Sequence, residues 1–102
     1  MKIIKILCEK IECELEDAHE YAELALRSRE SYPETAALFC KLSSDEMAHM
    51  EVLHKEVVRH MDAYRQKKGE IPAEMMAVYD YLHERQIKKA QAVNVLQCMF
   101  KR

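Results

Sequence analysis

Apolar residues recur at steps of three and four through most of the chain, which is the spacing of one helix face. The first stripe reads Ile4, Leu7, Ile11, Glu14, Ala18, Tyr21, Ala25. A second reads Phe39, Leu42, Glu46, His49, Leu53, and a third Met76, Tyr79, His83, Gln86, Ala90, Val93, Leu96, Phe100. Two short segments interrupt them. Ser31-Tyr32-Pro33-Glu34 puts a proline near a first helical position, and Lys68-Gly69-Glu70-Ile71-Pro72 stops one helix with glycine and opens the next with proline. The pattern predicts an all-α chain in one domain, 1–102, with helices over about 2–29, 33–67 and 72–101.

Three residues stand in these stripes where apolar side chains belong: Glu14, Glu46 and His49. Burying an unpaired charge costs several kcal/mol, so something has to compensate. Short turns make consecutive helices antiparallel. Both helices rise about 1.5 Å per residue, so residues level across the first turn have numbers summing to about 63. Glu14 is then level with His49, and Glu46 is less than a turn away. Across the second turn the sum is about 140, which brings Ala90 and Val93, neither of them a ligand, to the same level. Positions three apart on a helix face the same way, and carboxylates with an imidazole suit iron, manganese or zinc. A metal site is the sharper reading of this cluster, and a satisfied buried polar network is the alternative.

The Glu-x-x-His spacing alone says little, because it occurs at Glu16/His19, Glu46/His49 and Glu51/His54 in a chain that is 33% charged. Glu16, His19, Glu51 and His54 fall on outer heptad positions, where solvated charge is expected. A second cluster, Glu56, His60 and His83 with Tyr79 nearby, lies roughly level across the second turn; a hydrogen-bonded network is the first expectation for it and a metal site the second. Met75, Met76 and Met99 read as core filler.

Composition narrows the function classes. One Gly and two Pro in 102 residues suit long helices. A domain of this length buries only about 60–65% of its unfolded surface, so oligomerisation would help it. A net charge of -2 gives no reason to expect nucleic acid as a partner. The apolar runs are too short to span a bilayer, and Lys5 and Glu9 break the apolar start, so it does not read as a signal peptide. Cys8, Cys13, Cys40 and Cys98 lack paired zinc spacing and read as reduced thiols, with a cytoplasmic location expected.

One chain offers only two carboxylates and one imidazole. A two-metal site in a four-helix bundle takes a Glu from each of two helices and a Glu-x-x-His from each of the other two. Two copies of the first hairpin, related by a twofold axis, supply that set.

Two motifs carry a resemblance. Glu14 is followed seven residues later by Tyr21, and an acidic residue directly precedes the second motif, in Asp45-Glu46-Met47-Ala48-His49. In these and in the gap between them the chain resembles the ferritin-like superfamily of ferritins, rubrerythrins and short encapsulated ferritins, over helices one and two. The resemblance implies Glu14, Glu46 and His49 as ligands, with Tyr21 as a nearby hydrogen-bonding residue of the catalytic site. A full-length member carries a second Glu and a second Glu-x-x-His in its third and fourth helices. Helix three here has Asp80-Tyr81-Leu82-His83, and there is no fourth helix. The implied architecture is a ferritin-like antiparallel hairpin plus a third helix, with a four-helix bundle completed by dimerisation. The implied cofactor is iron, two per dimer site, or manganese. The implied chemistry is that of a ferroxidase- or peroxidase-type oxidoreductase, and the expected partner is a second copy of the chain. The rival reading is a non-enzymatic helical assembly or adaptor, with the seam acids and histidines setting register.

Overall fold

Proline and glycine divide the chain as their chemistry requires. The computed structural model describes residues 1–102 and contains three helices, α1 Lys2–Ser28, α2 Pro33–Lys68 and α3 Ala73–Lys101, with no strand. Pro33 opens α2 at a position where its missing N–H costs nothing. Gly69 ends α2 at φ 83°, in the left-handed region that side chains avoid. Its N–H donates to the Arg65 carbonyl. The helix bounds agree with the sequence-based ranges to within one residue, and the molecule is a rod of 56 × 18 × 18 Å.

The buried stripe of α1 differs from the one expected. It reads Ile4, Cys8, Ile11, Leu15, Ala18, Ala22, Ala25. Both stripes share Ile4, Ile11, Ala18 and Ala25, but the structure turns the helix toward Cys8, Leu15 and Ala22 and away from Leu7, Glu14 and Tyr21. The cause is α3, which packs chiefly along α1 and meets α2 at few points. With neighbours on two sides, α1 buries the face between them. Val57 and Met61 of α2 and Ile71 of the second turn close the same core cluster.

Small residues let α1 and α2 approach closely: Ala18, Ala22 and Ala25 pack against the side that carries Ala36, Cys40 and Ser43, and all six are buried. Ser43 Oγ donates to the Ala18 carbonyl at 2.6 Å and accepts from Gln97 Nε2 at 2.9 Å, linking all three helices. At the far end Arg29 donates to the carbonyls of Met99 and Phe100, a cation at the C-terminus of α3. No helix is long and apolar enough to cross a membrane.

Candidate metal centre

Glu12 and Glu14 are two residues apart on α1, so they point about 200° apart around the helix. Glu12 pairs with Lys89 of α3. Glu14 therefore faces away from α3, toward α2, where Glu46 and His49 stand one turn apart. His49 Nδ1 lies 3.5 Å from Glu14 Oε2 and 3.8 Å from Glu46 Oε1. One ligand atom from each of the three residues falls within 4.8 Å of the other two, the only such group of His, Cys, Asp or Glu in the chain. The level-residue arithmetic holds because the turn is short and both helices are regular there.

The centre is not the buried seam that the stripes suggested. The side chains of Glu14 and Glu46 are 24% and 20% exposed, and that of His49 is 60% exposed. The three residues flank the core, on the side of the hairpin left uncovered by α3. The charges there lack full compensation. Glu46 shares a hydrogen bond with Glu14, which is the main reason its pKa is pushed up to about 7. Burial and the Glu14 charge raise it further, and His49 opposes them. Glu14 Oε2 is screened from solvent and lacks a hydrogen-bond donor whenever both carboxyls are ionised. A cation at this point would supply what the side chains do not, and the donor set of two carboxylates and one imidazole fits a hard or borderline metal ion.

Tyr21 lies half-buried on the same side of α1, and its ring stacks on Phe39 with centroids 6.2 Å apart. The second proposed cluster is not assembled. Glu56 is taken by Arg59, which holds its carboxyl below the ordinary range. Arg59 Nη2 lies 3.3 Å from His60 Nε2. His83 turns instead to His54, with rings 5.0 Å apart and nearly parallel, and Tyr79 also stacks on His83 at 5.5 Å. His54 is therefore not a solvated outer residue: it is half-buried, and burial and then His83 lower its pKa. Its place was misjudged because α3 covers a side of α2 that the heptad of α2 alone marks as outer. Glu16 and Glu51 are exposed as expected, and His19 pairs with Glu23 at 3.0 Å on the surface.

Sequence reasoning passed over Ser43 and Glu12. Ser43 sits three and seven residues on from Cys40 and Ala36, a small-residue spacing that marks close helix approach. Glu12 has no comparable signal, since a glutamate next to a stripe is ordinary surface until a partner helix is placed.

Comparison of the chain with protein-family models, with curated proteins and with solved structures gives no match.

Proposed function

We propose that this chain is half of a ferritin-like di-metal carboxylate protein, with a second copy completing the centre about a twofold axis. The observation that carries this reading is the convergence of Glu14, Glu46 and His49 on the uncovered side of the hairpin, with a screened Glu14 oxygen that lacks a donor once both carboxyls are ionised. Two copies bring four carboxylates and two imidazoles, the set a di-iron or di-manganese bundle site uses. The surface supports a second copy. The chain exposes 6998 Å², where a compact monomer of its mass exposes about 6,000 Å². The excess is about the area that each partner buries in a standard interface. Leu38 and Val52, both exposed, flank the centre along α2.

In this reading Glu14, Glu46 and His49, with their copies, would hold the metal pair, the carboxylates supplying anionic oxygen donors and each His49 a neutral nitrogen donor. Glu46 would hold the metal as a carboxylate, without the proton it shares with Glu14 in the metal-free chain, and His49 Nδ1 lies 3.5 and 3.8 Å from the two carboxylates. An iron or manganese pair there supplies redox chemistry toward oxygen or peroxide. The substrate is then Fe(II), or a peroxide to be disposed of. Carboxylates outnumber imidazoles two to one, which is too oxygen-rich for a structural zinc site.

The register-setting alternative has a device of its own in Ser43, which ties Ala18 and Gln97 together. Ser43 does that work with its hydroxyl both donating and accepting, whereas Glu14 keeps an oxygen without a donor once both carboxyls are ionised, so the metal reading accounts for Glu14 better. The test adds Fe(II) to metal-free protein in air and follows ferric absorbance. Wild type should accelerate oxidation over buffer, and Glu46→Ala and Glu14→Ala should not. Equal acceleration by all three proteins would favour the register-setting reading.

A further inference from the structure

A second feature lies on the opposite side of α1 from the metal centre. The start of α1, the end of α2 and the start of α3 splay apart around a cavity of about 630 Å³. That volume is within the range of about 300–1,000 Å³ usual for small-molecule sites. Ten of its 13 lining residues are hydrophobic, so any ligand that fills it is mainly apolar. Ile4, Met61 and Ile71 form the floor and are buried. Met75, Met76 and Leu82 of α3 form a wall, and flexible methionines fit irregular alkyl shapes.

The polar groups are few and divide by depth. The Cys8 thiol and the Tyr79 hydroxyl are uncharged at neutral pH, and burial pushes their pKa values further up. The charged side chains that line it are those of Lys2, Lys5 and Glu74, all exposed. The mouth therefore has a positive excess above an uncharged apolar interior. A ligand matching both halves has an alkyl tail and a single anionic head.

We propose that this cavity binds a fatty carboxylate, with its chain among Met61, Met75, Met76 and Leu82 and its carboxylate at Lys2 and Lys5. A second copy of the chain is a poorer occupant. The cavity opens between α1 and α3, whereas Glu14 faces away from α3, so a copy seated on the metal centre leaves the cavity open.

The test is calorimetric titration of the metal-free full chain with dodecanoate below its micelle concentration, which keeps the result independent of the metal reading. Saturable binding of one dodecanoate per chain is expected, tighter than that of dodecanol. The double variant Lys2→Glu/Lys5→Glu should weaken dodecanoate by about tenfold or more, a change of about 1.4 kcal/mol, and leave dodecanol unchanged. Val78 lines the cavity but is 60% exposed, so Val78→Trp should block binding with helicity and metal loading retained. The proposal is overturned by an absence of saturable binding or by surfactant-like uptake of many molecules per chain. It is equally overturned if Val78→Trp binds as wild type does, or if wild type ignores dodecanoate while Val78→Trp loses self-association, which would make the cavity a contact between copies.

Discussion

Because Glu46 shares a proton with Glu14, the folded metal-free chain keeps that proton up to about pH 7, while an ordinary glutamate releases it near 4.5. The folded state thus binds more protons than the unfolded state in that window, and the stability Glu46 contributes is lost as pH rises through it. His54 acts with the opposite sign: its pKa is lowered from 6.5, so its contribution falls as pH drops below that value. Subtracting wild type from Glu46→Gln isolates the first effect. The variant should melt close to wild type at about pH 5 and measurably higher at about pH 8, in thermal scans with chelator present. His49 makes a different prediction. Its side chain is 60% exposed, so His49→Leu should shift metal-free stability by no more than about 0.5 kcal/mol. The same variant should lose bound iron or manganese by elemental analysis, and an unchanged metal content would remove His49 from the centre. These three residues were legible in the sequence because their convergence needs only helix rise and a short turn. The exposure of His49 was not legible, since it depends on where α3 lies.

Among the elements, the helices and their ends follow from Pro33, Gly69 and Pro72 with hardly an error. The rotation of α1 about its axis does not. Leu7, Glu14 and Tyr21 and the alternative Cys8, Leu15 and Ala22 both continue the spacing set by Ile4 and Ile11, and only the packing of α3 on α1 chooses between them. The same packing moves His54 from solvent to a stack with His83 and leaves Glu56 and His60 to Arg59. Ser43 holds the three-helix arrangement together through one buried hydroxyl. Ser43→Ala leaves Gln97 Nε2 without its acceptor and should cost about 1 kcal/mol, read as a lower denaturant midpoint at unchanged slope. A larger loss would mean that the hydroxyl also fixes the close approach of α1 and α2.

At the scale of the whole molecule, 15 of 102 residues are buried while 11 large hydrophobic side chains are exposed. A single copy of this rod thus leaves much apolar surface to solvent, and the group of Glu14, Glu46 and His49 lies on a face that α3 does not cover. Both facts lead to the same expectation, that a second copy covers the centre and supplies the missing ligands. The most direct measurement is native mass spectrometry of protein loaded with Fe(II) or Mn(II) and freed of excess. The predicted species is an even-numbered oligomer built of dimers that carries one metal per chain, with Glu46→Ala retaining none. A strict monomer that holds two metals, or a dimer that takes up none, would contradict a centre shared between two chains.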